Sequence, residues 1–229
     1  KMHQLIDKKK KLFLYLSLLF LLTTFNNLSL INSENIKLKI QKINVSGLSE
    51  LENLNISKNL NKLMYQKIFY LKKNYFINIL EANNLVHSFV IKKIYPNSID
   101  IKIEKTKFLA ITHFNKEKFL IGANGKLIKF DTYKETLPYF FGKLDIDDFI
   151  RFSKILNKSK LDFKEISEIY FFPSGRWNIK NRKGTLFKLP KKNLIDSLNF
   201  VYQINKSHSM NNFKIIDLRI PGKIISLNE

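Results

Sequence analysis

The sequence predicts an α+β protein: a single N-terminal transmembrane helix, a small β-α-α-β-β domain, and a mainly antiparallel β domain with flanking helices. Three observations predict it. A basic run precedes an apolar stretch of bilayer-spanning length, strand and helix periodicities alternate in a definite order over residues 36–105, and short alternating segments separated by turn signals fill residues 106–229. A chain of 229 residues has room for one or two ordinary domains, each able to bury a core.

The formal net charge of +21 has a compositional explanation. A strongly basic chain can bind nucleic acid or an anionic membrane. The lysines are spread evenly, however, and accompany an excess of Asn, Ile, Phe and Leu, which is the joint bias that an AT-rich coding sequence produces. No RNP-like run, zinc-finger spacing or basic heptad is present. We therefore do not attribute the charge to a nucleic-acid site.

The N-terminal segment predicts a membrane anchor. Lysines occupy positions 8–11, and residues 12–31 then form a largely apolar stretch of about 20 residues, the length of a bilayer-spanning helix. The lysines would hold residues 1–11 in the cytoplasm as a basic stub. A cleaved signal peptide is the alternative, but the segment Thr23-Thr24-Phe25-Asn26-Asn27 offers no small-x-small cleavage site. Under either interpretation, the residues after position 35 are expected on the extracytoplasmic side of the membrane.

Residues 36–105 predict a compact β-α-α-β-β unit. Alternating apolar residues end at Ser46-Gly47, a turn signal, and apolar residues at helical spacing follow. The turn at residues 95–98 then separates two alternating segments, which predicts a hairpin. In chain order the predicted elements are a strand over 36–45, helices around 56–64 and 75–83, a strand around 87–91 and a strand over 99–103.

Residues 106–229 predict a β domain with two helices. Asn124-Gly125 reads as a two-residue hairpin turn. Gly122 and Lys126 around it do not make a phosphate loop, because no Ser or Thr follows the lysine and no helix follows the loop. Pro190 is predicted to open the second helix. The predicted strands cover 108–113, 119–121, 126–130, 166–172, 176–179, 185–189, 213–220 and 223–227, with helices at 145–157 and after residue 190.

Catalytic motifs are missing from the sequence. Cysteine is absent, which excludes disulfides, thiolate catalysis and cysteine-ligated metals. His3, His87, His113 and His208 are too scattered to predict a metal site, and no Gly-x-Ser-x-Gly elbow, kinase loop or dinucleotide fingerprint occurs. We expect no cofactor, and a binding protein rather than an enzyme.

Short collinear motifs resemble the FtsQ/DivIB family, and its alphaproteobacterial members most closely. Lys105, Lys107 and Leu109 depart from the family pattern, which has arginine, proline and alanine there. The motifs that carry the resemblance are Ile43-x-Val45-x-Gly47, Tyr95-Pro96-Asn97-Ser98-Ile99, Gly122-x-x-Gly125-x-Leu127-Ile128, Leu137-Pro138, Arg176-Trp177-Asn178-Ile179, Gly184 with Leu189-Pro190, and Ile216-Asp217-Leu218-Arg219.

The resemblance implies a cell-division scaffold of the inner membrane, largely periplasmic and enriched at the septum. It implies a POTRA-like domain over 36–105, which helps recruit other divisome proteins, and an FtsQ-type β domain over 106–229. In the family the partner FtsB, and through it FtsL, docks by adding a strand to the C-terminal sheet edge. The matching segment is 216–227, and the predicted partner-binding residues are Arg176, Arg219, Ile220, Gly222, Ile224, Ile225 and Leu227.

Individual side chains near that edge have two interpretations. Arg219 suits an acidic residue of a partner, or forms a surface ion pair with Asp217 on the same strand face. Trp177 is expected in the core, which would point its neighbour Arg176 outward. Two other functions stay open: a POTRA module in outer-membrane protein insertion or secretion, and a basic nucleic-acid-binding protein.

Overall fold

The computed structural model describes residues 8–31, 38–207, 213–220 and 222–227, and within the first range the side chains of residues 10–23. The helices are α1 Lys8–Ile31, α2 Glu50–Leu60, α3 Asn74–Glu81, α4 Ile146–Lys158 and α5 Leu194–Lys206. The strands are β1 Lys42–Ser46, β2 Val86–Ile94, β3 Ser98–Lys105, β4 Phe108–Phe114, β5 Glu117–Gly122, β6 Leu127–Lys129, β7 Tyr139–Gly142, β8 Ile166–Phe171, β9 Trp177–Asn181, β10 Leu186–Lys188, β11 Ile215–Asp217 and β12 Ile225–Leu227.

Two compact units make up the chain. The first takes in residues up to Ser46 together with Glu50–Phe76 and Ile91–Lys102. The second takes in Gly47–Ser49, Ile77–Val90 and Ile103–Glu229.

Helix α1 coincides with the segment for which the sequence predicts a membrane span. It runs for 24 residues, and its large apolar side chains between Leu12 and Leu22 are all more than half exposed. Across the described residues, no helix has both the length and the apolar character needed to cross a membrane.

The predicted β-α-α-β-β order is confirmed. The three strands pair in the order β1-β3-β2, with β1 parallel to β3. A parallel pair needs a long crossover, and the segment containing α2 and α3 provides it. The predicted first strand, 36–45, is not continuous: β1 begins at Lys42. Residues 38–40 pair with residues 65–68 instead, through the bridge Lys39↔Lys67. The buried apolar residues of the first unit are Ile40, Ile56, Leu60, Leu63, Ile68, Leu71, Phe76, Ile99 and Ile101.

A nine-stranded mixed sheet dominates the second unit, in the order β12-β11-β10-β9-β8-β7-β4-β5-β6. Five ladders are antiparallel, as the sequence predicted for most of the domain, and three are parallel: β10–β11, β7–β8 and β4–β7. Two of the parallel pairs arise because α4 connects β7 to β8 and α5 connects β10 to β11. Each 13-residue helix supplies the crossover that a parallel neighbour requires.

The core of this sheet is centred on aromatic rings. Trp177 is 6% exposed; its ring stacks on Phe152 at 4.3 Å and lies 4.4 Å from Phe171 between centroids. Phe149 and Phe152 of α4 and Leu198 and Val201 of α5 belong to the same buried cluster. The prediction that Trp177 is a core residue is confirmed.

The start of α5 differs from the prediction. The helix begins at Leu194, not at Pro190, so the predicted start is wrong. The Leu189 N–H donates to the Trp177 carbonyl at 3.0 Å, which keeps the chain in the sheet up to that point. Asn193 then has φ +56°, outside helical geometry. Residues 190–193 therefore form a loop beside the sheet edge.

The turn at Asn124-Gly125 is longer than a two-residue loop. The Gly125 N–H donates to the Gly122 carbonyl at 2.9 Å, and the Gly122 N–H donates to the Lys126 carbonyl at 2.9 Å. Gly125 has φ +77°, which a glycine adopts without steric cost. The glycine thus closes a four-residue turn beginning at Gly122, instead of occupying the second position of a two-residue one.

Candidate functional site

The candidate site is the edge of the nine-stranded sheet formed by β12. This strand pairs with β11 in the register Asp217↔Ile225 and Ile215↔Leu227. On its other side it pairs with no strand in the described part of the chain. The side chains of Ile225 and Leu227 are 45% and 52% exposed. A sheet edge presents backbone groups that an additional strand is able to use.

Strand β11 fixes the position of this edge. Ile216 is fully buried in the aromatic-centred core, and β11 pairs in parallel with β10, Lys188 opposite Asp217. The Leu218 N–H continues the ladder by donating to the Lys188 carbonyl at 2.9 Å. A shift of one residue would turn Ile216 out of the core, so its burial sets the register of β11 and, through it, of β12.

A tight turn joins the two strands and presents further apolar side chains. The Lys223 N–H donates to the Ile220 carbonyl at 3.1 Å, and Gly222 has φ +71°. Ile220 and Ile224 are 47% and 48% exposed. Gly222 therefore contributes through its backbone conformation, and the two isoleucines contribute the surface.

Two adjoining grooves lie beside the edge. The larger, of about 760 Å³, is lined by the loop after β10, by α5 and by the turn before β12, with Pro190, Phe200, Leu218 and Ile224 among its residues. The smaller, of about 440 Å³, is lined by Arg176, Asp217, Arg219, Ile220 and Ile225.

Six of the seven predicted partner-binding residues line one groove or both, and the seventh, Leu227, lies on β12 itself. Sequence reasoning missed Phe200 and the loop at residues 190–193. The sequence predicted a helix from Pro190, so it did not predict a loop at these positions. Phe200 reaches the groove only through the packing of α5. The partner-binding role of these residues stays a prediction.

Arg219 is engaged with Asp217 in this structure. Its Nε donates to both carboxylate oxygens, at 2.8 and 2.9 Å, its Nη2 donates to Oδ2, and its backbone N–H donates to Oδ1 at 3.0 Å. These hydrogen bonds lower the pKa of Asp217 and raise that of Arg219. The carboxylate is 14% exposed and the guanidinium side chain 38% exposed. Among the described residues, no hydrogen bond of Nη1 of Arg219 accompanies those of Nε and Nη2.

The grooves carry an excess of positive charge. Besides Arg219, their lining includes Arg176, Lys191, Lys192 and Lys223. The acidic lining residues are Asp217, which Arg219 neutralises, and Asp196. Arg176 is held toward the preceding turn, its Nε donating to the Ser174 hydroxyl at 2.9 Å. The site therefore combines apolar side chains with cations and suits an extended, acidic and apolar ligand.

The acidic and histidine side chains do not form a metal site in the described part of the chain. Within residues 8–31, 38–207, 213–220 and 222–227, no three His, Asp or Glu side chains are grouped so that they could hold a metal ion.

Two family models match the chain in tandem. Residues 38–105 match the POTRA domain, FtsQ-type, and residues 110–219 match the model described as cell division protein FtsQ/DivIB, C-terminal. The fold and the matches therefore define a POTRA-containing protein of bacterial cell division. The chain belongs to the FtsQ/DivIB family.

Individual relatives carry the same names. The cell division protein FtsQ of Rickettsia bellii is 26% identical over 190 residues, covering 81% of this chain and 70% of the relative. FtsQ of Rickettsia prowazekii is 24% identical over 196 residues, with the same coverages. DivIB of Staphylococcus aureus is 29% identical over 91 residues, covering 40% of this chain and 21% of that protein.

One solved structure is similar over part of the chain. It is the major extracytoplasmic domain of DivIB from Geobacillus stearothermophilus, 19% identical, with a TM-score of 0.36. The match covers 44% of this chain and 92% of that domain.

Proposed function

We propose that this chain is a non-enzymatic divisome scaffold that binds FtsB, and through it FtsL, by strand addition at β12. The observation that supports it best is the outer side of β12, which pairs with no strand among the described residues. The strand and the turn before it expose Ile220, Ile224, Ile225 and Leu227, all between 45% and 52% exposed. Main-chain hydrogen bonds from an added strand would supply affinity, and side chains at alternate positions would supply specificity.

The charges beside the edge specify the partner's chemistry. Arg176 and Arg219 line the same groove as Ile225, so a partner segment whose side chains enter that groove would meet both cations. An acidic residue on the partner would accept from Nη1 of Arg219 while Asp217 keeps Nε and Nη2. Arginine suits such an arrangement because its planar guanidinium presents five donors in fixed directions. The expected partner segment is extended, apolar at alternate positions and acidic at one or more others.

The scaffold is also proposed to be anchored in the inner membrane by α1, with its N-terminus cytoplasmic and its bulk periplasmic. The exposed leucines and phenylalanines between Leu12 and Leu22 are best covered by lipid. The hydroxyls of Ser17 and Thr23 donate to carbonyls three or four residues earlier, at 2.9–3.0 Å, so they would enter an apolar phase with their hydrogen bonds already made. A periplasm-only reporter fused after residue 229, with carbonate extraction of the membranes, tests this anchoring; an inactive reporter or an extractable chain refutes it.

The partner site is tested by titrating the full chain in detergent with a periplasmic FtsB segment. Ile225→Glu places a charge on the edge strand, and Arg219→Glu reverses the charge that would meet the partner's acid. Each should weaken binding tenfold or more, the range of an interface hot spot. Ile128→Glu, on the opposite edge strand β6 of the same sheet, makes the same chemical change away from the site and should bind like the wild type. Undiminished binding in both Ile225→Glu and Arg219→Glu refutes the edge site.

A further inference from the structure

The first compact unit carries an exposed aromatic and basic surface on the segment between α2 and α3 and on the β2–β3 turn. Phe69 and Tyr95 stack with 4.9 Å between ring centroids and are 56% and 55% exposed. Tyr70 is 77% exposed, and the Nζ of Lys67 lies 5.9 Å from the centroid of its ring. We call the set Phe69, Tyr70, Tyr95, Lys67, Lys72 and Lys73 the aromatic–lysine face.

Buried neighbours hold these rings outward. Ile68 is fully buried, and its N–H donates to the Leu38 carbonyl at 2.8 Å. Leu71 is 6% exposed, and its carbonyl accepts from the Nζ of Lys93 at 3.0 Å. Because the residues on both sides of Phe69 and Tyr70 are fixed in the core, the fold itself holds the two rings at the surface.

The charged members of the face are all lysines, and their neighbours in sequence are not acidic. Between Glu52 and Glu81 the sequence has no acidic residue and five lysines, at positions 58, 62, 67, 72 and 73. Lys92 and Lys93, next to Tyr95, also lie in a stretch without acids, from residue 82 to residue 99. Aromatic rings beside lysines, without acidic neighbours in sequence, favour a ligand that is apolar inside and anionic outside.

Chain connectivity places such a ligand within reach. The face lies on the segment that pairs with residues 38–40 through Lys39↔Lys67. Residue 38 follows Ile31, the last residue of α1, by seven peptide units, which span at most about 25 Å. If α1 is held in a bilayer, residue 38 lies within that distance of the end of α1, and the face begins at Lys67, the pairing partner of Lys39. This tether favours contact with lipid by raising the local concentration of the surface.

We propose that the aromatic–lysine face docks on the anionic phospholipid surface of the membrane that holds α1. The inference rests on the proposed anchoring and adds a second membrane contact outside the helix. Phenylalanine and tyrosine rings would enter the headgroup region, and the lysines would meet lipid phosphates. Each lysine near an anionic surface should shift the docking equilibrium by about fivefold.

Single-cysteine labelling of the full chain tests the proposal, since the wild-type sequence has no cysteine. Tyr70→Cys and Leu51→Cys would each carry an environment-sensitive NBD fluorophore after reconstitution in phosphatidylcholine vesicles with or without phosphatidylglycerol. Leu51 belongs to the same unit and is similarly exposed, at 70%, but it lies between Glu50 and Glu52. A lipid-borne quencher should quench the label at position 70, more strongly with phosphatidylglycerol and less at high salt, and should leave position 51 in water.

A charge-matched pair of variants tests the role of the lysines. Lys72→Gln with Lys73→Gln should lower the ratio of docked to undocked chain about 30-fold. Lys42→Gln with Lys102→Gln, which removes two exposed lysines elsewhere in the unit, should change it little.

Three results would overturn the proposal. They are equal quenching at positions 51 and 70, an unquenched position 70 in both vesicle types, and protection of position 70 by an added protein partner but not by lipid. Carbonate extraction separates the two levels of inference. A chain that stays in the vesicles with position 70 in water refutes the docking alone, whereas a chain that is extracted refutes the anchoring and the docking together.

Discussion

Replacing Trp177 by alanine should remove a large part of the stability of the nine-stranded unit. The indole is 6% exposed and lies against Phe152 at 4.3 Å and Phe171 at 4.4 Å, with Phe140 edge-on at 6.4 Å. A buried tryptophan removes roughly 150–250 Å² from water, which corresponds to about 4–6 kcal/mol at ~25 cal/mol per Å². Measured core Trp→Ala substitutions cost about 3–5 kcal/mol, so about 4 kcal/mol is expected. Trp177→Phe keeps one ring in the stack and should cost about half as much.

The assay is urea unfolding of the full chain in mild detergent, followed by far-ultraviolet circular dichroism. Trp177 is the sole tryptophan of the sequence, so wild-type fluorescence reports directly on this core and identifies the part of the dichroism change that belongs to the nine-stranded unit. A Trp177→Ala variant within about 1 kcal/mol of the wild type, at an unchanged urea dependence, would refute the packing argument, because a well-packed ring of this size cannot be lost without either cost or rearrangement.

Three further perturbations address the backbone, the edge charge and the long hairpin turn. Gly142→Ala should lower the free energy of unfolding by about 2–4 kcal/mol, measured by thermal unfolding, because the added Cβ would lie 2.1 Å from a carbonyl oxygen of β8. Gly175→Ala is the control: this glycine also has a positive φ but has open space around it, so the loss should be about 1 kcal/mol. The hydrogen bonds from Arg219 lower the pKa of Asp217 in the folded chain. The ionised carboxylate therefore stabilises the fold at pH values above its unfolded pKa of about 4, and this stabilisation is lost as the pH falls through the folded pKa. Unfolding measured over a pH series should show less acid sensitivity for Asp217→Asn than for the wild type. Asn124→Ala removes an amide that donates to two backbone carbonyls at the start of β2, each at 2.9 Å, and should cost about 1–3 kcal/mol and speed local hydrogen exchange.

Local periodicity predicted those elements whose burial is set by their own neighbours in sequence. Ile99, Ile101 and Ile103 alternate with charged residues, and all three are at most 3% exposed in β3. Asp145 likewise caps α4 by accepting from the Asp148 N–H, close to the predicted helix start. In each case the residue pattern determines the contact, because strand alternation and helix capping act over a few residues.

Features that depend on distant packing were not predictable in this way. Pro190 is a residue typical of helix starts, yet the Leu189–Trp177 hydrogen bond keeps the chain on the sheet and delays the helix to Leu194. The segment from Ile68 to Leu71 is uniformly apolar in sequence, and only its pairing with residues 38–40 decides which side chains are buried. The groove beside β12 has the same origin, since Phe200 reaches it through the packing of α5.

The composition of the β12 edge also bears on which partner is able to use it. An exposed edge with apolar side chains invites pairing between two copies of the same chain. Here the strand is three residues long and is flanked by Lys223 and Arg219, so two copies meeting edge to edge would bring like charges together. A segment with acidic residues would meet the same cations favourably, so the charges that oppose self-association favour the partner expected in the proposed function.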